Sequence, residues 1–152
     1  MFVRGFSHMG LTVSDLERSV RFYRNELGFE LRNQWTRSEA YVRELLGYPD
    51  LELHAAILRV PGDGSIVELV EYRGVDRTAI DATHANPGTC HLSLFVDDLD
   101  TLVDGMRSRG VRFVSEPVTP TVGPNEGGRA VYLLDPDGIR VELTQSSRPL
   151  DA

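Results

Sequence analysis

Two histidines and two glutamates recur in pairs along this chain. His8 and His91 lie 83 positions apart and Glu68 and Glu142 lie 74 apart, each in a short run of alternating apolar and polar residues. Two imidazoles and two carboxylates suit a six-coordinate divalent ion that keeps two positions for water or substrate; nickel, cobalt, iron, manganese and zinc are the fitting metals. Open positions are what metal catalysis needs: the ion polarises a carbonyl oxygen while a carboxylate moves a proton at the neighbouring carbon. The single Cys90 excludes an intramolecular disulfide and a Cys-cluster zinc site, leaving His and carboxylates as ligands. A lone His or Glu on a strand is ordinarily a solvated surface residue. It is the pairing that argues for a site.

The pairing arises because the chain reads as two copies of one unit. FSHMGLTVSDLERSVRFYRNELGFEL lies over TCHLSLFVDDLDTLVDGMRSRGVRFV, setting Val13 on Val96, Asp15 on Asp98 and Leu16 on Leu99. SIVELVEY lies over GIRVELTQ at the smaller offset, so the first half carries extra residues, assigned to WTRSEAYVRELLGYPD. Each half opens with an alternating strand, 6 to 13 and 90 to 96, followed by a helix of about three turns. Leu16, Val20, Tyr23 and Leu27 form the apolar stripe of the first helix, with a Ser14/Glu17 capping box and Gly28 at its end. In the second, Asp97 caps, Leu99, Leu102, Val103 and Met106 form the stripe, and Gly110 ends it.

Strands follow at 29 to 35, 51 to 60 and 65 to 72, then at 111 to 115, 129 to 134 and 139 to 144. The turns Pro61-Gly62-Asp63-Gly64 and Asp135-Pro136-Asp137-Gly138 precede the last strand of each half. The expected fold is α+β: two βαβββ modules in tandem, forming curved mixed sheets around a shared cavity. Residues 6–72 make the first module, 73–88 a linker and 89–145 the second module, within a single domain spanning 1–152. Residues 116 to 128 are expected to form a long polar loop.

Strand alternation then orients the four polar residues. Met9, Leu11 and Val13 are the apolar face of the first strand, leaving His8, Gly10 and Thr12 opposite; Leu92, Leu94 and Val96 likewise leave His91, Ser93 and Phe95. Val67 and Leu69 oppose Glu68 and Val70, and Val141 and Leu143 oppose Arg140, Glu142 and Thr144. All four ionisable residues therefore belong to the face that carries no helix.

The composition narrows the partners. The net charge is −7 and the 16 cationic residues are scattered, so no basic patch for nucleic acid exists and a small-molecule substrate is expected. No stretch is apolar and long enough for a signal peptide or a membrane span, which predicts a cytoplasmic protein without a membrane partner.

The ordered set of residues resembles the vicinal oxygen chelate superfamily, which includes glyoxalase I, methylmalonyl-CoA epimerase, extradiol dioxygenases, and fosfomycin and bleomycin resistance proteins. The resemblance runs from Phe6 to Thr144 and is most specific in HMGLTVSDLERSVRFYRNELGFEL, in DPDGIRVELTQ and at the four paired positions. It implies that His8, Glu68, His91 and Glu142 bind one divalent metal ion, a set most similar to that of bacterial glyoxalase I. Epimerases of the family carry Gln at the position of Glu68, dioxygenases and fosfomycin-modifying enzymes use three protein ligands, and bleomycin-binding members lack the metal. The activity implied is that of a metal-dependent isomerase, epimerase or glyoxalase-type lyase, with Glu142 and Glu68 as catalytic carboxylates and a homodimer as the assembly. The alternatives are an extradiol-type dioxygenase and a drug-binding resistance protein.

Two departures bear on the substrate. Glyoxalase I has Arg four residues after the first His and Asn four after the first Glu, both contacting glutathione; here Thr12 and Tyr72 stand there. The epimerase resemblance is also incomplete, because its C-terminal motif differs from DPDGIRVELTQ. Phe95 and Tyr72 share the ligand face, and Trp35, Tyr41 and Tyr48 lie in or beside the first-half insertion, so an aromatic cavity mouth is expected. Arg129 is a candidate for binding a carboxylate or phosphate, set against a solvated surface role. His54 and His84 fall outside the repeat and are expected to be structural or exposed, and Cys90 to be buried and inert.

Overall fold

The computed structural model describes residues 2–81 and 86–148; His84 lies outside them. The chain divides into two compact units, one ending at Ala79 and the other starting at Ile80. The first contains β1 (Met9–Thr12), α1 (Leu16–Leu27), β2 (Glu30–Arg37), α2 (Ala40–Leu46), β3 (Glu52–Arg59) and β4 (Ile66–Arg73). The second contains β5 (His91–Phe95), α3 (Leu99–Ser108), β6 (Arg112–Phe113), β7 (Arg129–Leu134) and β8 (Arg140–Gln145). This is the expected α+β architecture of tandem modules, each with a four-stranded mixed sheet.

In the first unit the strand order is β1-β4-β3-β2, in the second β5-β8-β7-β6. The outer strand, which His8 immediately precedes in the first unit and His91 opens in the second, pairs in parallel with the last strand of its unit, Gly10 opposite Glu68 and Ser93 opposite Glu142. The other neighbours are antiparallel. From the outer strand the chain crosses the sheet to the strand at its far edge, β2 or β6, which runs in the same direction, and such a crossover needs a helix rather than a tight turn. α1 and α3 serve this purpose and cover one face of their sheets.

The buried set follows the alternation. Leu11, Val67, Leu69, Ala56 and Leu58 meet Leu16, Val20 and Tyr23 in the first unit, and Val131, Leu133, Val141 and Leu143 accompany Leu99, Val103 and Met106 in the second. Burying one such aliphatic side chain contributes roughly 1.5–3 kcal/mol, so a slip of one residue in β4 or β8 would expose the core and bury the glutamates.

Four expectations need correction. The extra first-half residues form α2, a seven-residue helix that anchors through buried Val42 and ends at Gly47, whose φ of +77° suits glycine. The helix caps lie one residue later than expected: Asp15 Oδ1 accepts the Arg18 N–H at 2.9 Å and Asp98 Oδ1 accepts the Thr101 N–H at 3.1 Å, displacing Ser14 and Asp97 from that role. Cys90 is exposed, because β5 begins only at His91 and strand alternation does not govern the residue before it. β6 is reduced to Arg112–Phe113.

Each helix also has a tether that sequence patterning did not reveal. The Leu16 N–H donates to Glu71 Oε2 (3.1 Å) and the Leu99 N–H donates to Gln145 Oε1 (2.9 Å). Glu71 and Gln145 are equivalent residues of β4 and β8, so the same joint holds both helix N-termini to their sheets. The Arg73 guanidinium grips the Glu71 carboxylate through Nε at 2.8 Å and Nη2 at 3.1 Å. That hydrogen bonding, with the Leu16 N–H and the charges of Arg73 and Arg77, holds Glu71 below the usual carboxylate range despite its burial.

Candidate functional site

β1 and β4 bring His8 and Glu68 together on the face of the first sheet opposite α1. His8 Nε2 lies 3.2 Å from Glu68 Oε2, with side-chain exposures of 42% and 23%. β5 and β8 repeat the arrangement: His91 Nε2 lies 3.4 Å from Glu142 Oε2, at 48% and 20%. Each unit thus presents a half-site open enough for a ligand to reach. Among the described residues no group of three or more His, Cys, Asp or Glu is placed to hold a metal, so the four predicted ligands stand as two pairs.

The spacing within each pair fits a shared cation. Imidazole nitrogen and carboxylate oxygen ligands at about 2.1 Å on adjacent octahedral positions are separated by about 3 Å. Both pairs match. The Ser7 hydroxyl lies 3.0 Å from His8 Nδ1, the ring nitrogen that faces away from Glu68, as is usual for a metal-binding imidazole.

The second half-site holds a residue that sequence reasoning missed. Tyr132 on β7 is the cross-strand partner of Glu142, its hydroxyl lies 3.5 Å from His91 Nε2, and the two rings meet edge to face. Desolvation, then the negative charge of Glu142 and a hydrogen bond donated to it, push the Tyr132 phenol above its ordinary value, with Arg140 opposing. The Arg140 guanidinium sits 5.8 Å from the Tyr132 ring centre. Alternation in RAVYLL, which sets Tyr132 opposite Val131 and Leu133, was the signal available.

Among the remaining candidates, Tyr72 packs edge to face against Tyr48, with 6.0 Å between ring centres. Burial, followed by Tyr48 and Glu68, raises its phenol pKa. Trp35 is half-buried, while Tyr41 and Phe95 are each 61% exposed. Arg129 is engaged by Asp100 at 2.6 Å. His54 pairs with Glu52 at 2.5 Å on the helix-covered side of β3, apart from the ligand face.

Comparison with known proteins bears on family and fold. The chain belongs to the Glyoxalase/Bleomycin resistance protein/Dioxygenase superfamily, whose family model matches residues 5–143. A 2-epi-5-epi-valiolone epimerase from Actinomyces is 32% identical over 140 residues, covering 90% of this chain and 76% of that protein. The lactoylglutathione lyase of Haemophilus influenzae is 31% identical over 142 residues, covering 91% and 90%. A glyoxalase family protein from Bacillus cereus superposes with a TM-score of 0.80 at 20% identity, covering 92% of each chain, which speaks for the fold alone. No described helix is long and apolar enough to cross a membrane.

Proposed function

We propose that this protein is a divalent-metal-dependent enzyme that moves a proton next to a carbonyl of a small organic substrate, as an isomerase, epimerase or glyoxalase-type lyase. The observation that carries this proposal is the repeated His–Glu pair, 3.2 Å and 3.4 Å across, on the open face of both sheets. His8, Glu68, His91 and Glu142 together hold one ion, the halves being supplied by one chain or by two chains of a homodimer. The bound ion, nickel, cobalt, manganese, zinc or iron, supplies Lewis-acid polarisation of a substrate oxygen.

The chain's own groups do the rest. A glutamate would accept the proton from carbon and return it to the same or the neighbouring carbon. Glu142 is the favoured base, because epimerases of the resembling family carry Gln at the position of Glu68. Glu68 then acts chiefly as a ligand. The similarity to an epimerase supports proton transfer, since inversion at a carbon beside a carbonyl proceeds by removal and return of its proton.

Metal analysis of the purified protein tests the proposal. Near-stoichiometric nickel, cobalt, manganese or zinc, with no oxygen consumption, is expected. Iron with oxygen uptake on a catechol would replace it with the dioxygenase alternative, and absence of metal affinity would replace it with a binding protein.

A further inference from the structure

Around the same His–Glu pair, the two units are lined differently. Two residues before the glutamate on its strand stands Ile66 in the first unit and Arg140 in the second. The cross-strand partner of the glutamate is Ile57 in the first and Tyr132 in the second. Two residues after it stands Val70 in the first and Thr144 in the second. Alternation puts all of these on the ligand face, because Val67, Leu69, Val141 and Leu143 between them are buried in the core.

At these three positions an apolar residue of the first unit is matched by a hydrogen-bonding or cationic one in the second. Arg140 neighbours His91 directly across the β5–β8 pairing, and its guanidinium is held against the Tyr132 ring. Thr144 is 2% exposed, and its Oγ1 is buried without a hydrogen-bond partner among the described residues. A buried hydroxyl without a partner costs about 1–3 kcal/mol, a cost that a ligand oxygen would remove.

We infer that Arg140 is a substrate-binding residue and that the substrate is a small organic anion, its carboxylate or equivalent oxyanion held at the second half-site by Arg140 and Tyr132. This rests on the proposal that both half-sites serve one ion. A permanently charged guanidinium over an aromatic ring is suited to a carboxylate, which it meets with paired N–H donors. At the equivalent strand position the first unit has Ile66.

The test is calorimetric titration of the full-length, manganese-loaded protein with two probes of similar shape, mandelate (an anion) and 2-hydroxyacetophenone (neutral). Wild-type protein is expected to favour mandelate, and Arg140→Gln to reduce that preference roughly tenfold with unchanged manganese affinity. Arg140→Lys should recover part of it. An unchanged preference in Arg140→Gln would overturn the inference while leaving the metal proposal intact, as would failure of the loaded protein to bind either probe. Loss of manganese together with the preference would make Arg140 a support for the ligands, again overturning it. Failure of wild-type protein to bind manganese, tested before any probe is added, would instead remove the metal proposal itself.

Discussion

The Glu71 carboxylate accepts the backbone N–H of Leu16 at 3.1 Å, tying the first turn of α1 to the strand that carries Glu68. In the second unit a neutral Gln145 makes the same bond to Leu99. Both joints tie a helix N-terminus to the last strand of its unit, yet only one joint is charged. Because the folded-state pKa of Glu71 is depressed below the ordinary 4.5, its contribution to stability is complete above that value and is lost as pH falls through the folded value. Glu71→Ala should cost about 3 kcal/mol at neutral pH by leaving Arg73 and the helix N-terminus unpaired. Glu71→Gln should retain the bond to Leu16 and flatten the acid limb of a denaturation profile; an acid limb unchanged from wild type would show that Glu71 is not the group responsible.

Gly128 is needed for space. A Cβ placed there would lie 2.4 Å from the Gln145 carbonyl oxygen and 3.2 Å from that of Asn125, both backbone atoms with little room to retreat. Gly128→Ala should therefore destabilise by about 2 kcal/mol, read as a lower urea midpoint at unchanged slope. An unaffected midpoint would mean that the loop before β7 shifts freely away from β8.

Much of this was legible in the residues. Alternating aliphatics in IVELV and IRVEL fix which way Glu68 and Glu142 point, since reversing them would expose Val67, Leu69, Val141 and Leu143. The helix stripes of α1 and α3 were equally plain. α2 was not, because AYVRELL is under two turns and buries only Val42 fully, too little for periodicity to register. The caps were one residue out because Ser14-Asp15 and Asp97-Asp98 each offer two capping side chains in succession, and the choice falls to the tether at Leu16 and Leu99. Glu71 was missed for a related reason: a charged residue on a strand reads as solvent-facing until its partners Arg73 and Leu16 are seen around it.

The glutathione moiety of the lyase substrate should be poorly accepted. Thr12 cannot supply the charge of an arginine, and Tyr72, packed on Tyr48, occupies the place of a small amide. Turnover of the hemithioacetal of methylglyoxal and glutathione should be weak or absent, measured by thioester absorbance. Efficient turnover would show that other residues take over those contacts.

Base and ligand roles separate by isosteric substitution. In Glu142→Gln an amide oxygen still coordinates but no longer accepts a proton at neutral pH. Exchange of solvent deuterium into a bound 2-hydroxy ketone should drop at least about a hundredfold while metal content stays near wild type. Glu68→Gln should lose less. Equal exchange in wild type and both variants, with metal bound, would reduce both carboxylates to ligands and remove proton transfer from the account.

A shared ion requires that the two His–Glu pairs make one site. Manganese stoichiometry should be determined on wild-type protein and on His8→Ala and His91→Ala, after dialysis against a limiting concentration of the ion and with folding checked by circular dichroism. One ion per chain in wild type, with binding weakened by either substitution alone, is predicted, because each histidine supplies one ligand to a common ion. Two ions per chain, of which each substitution removes one, would show two separate His–Glu sites and contradict the central claim.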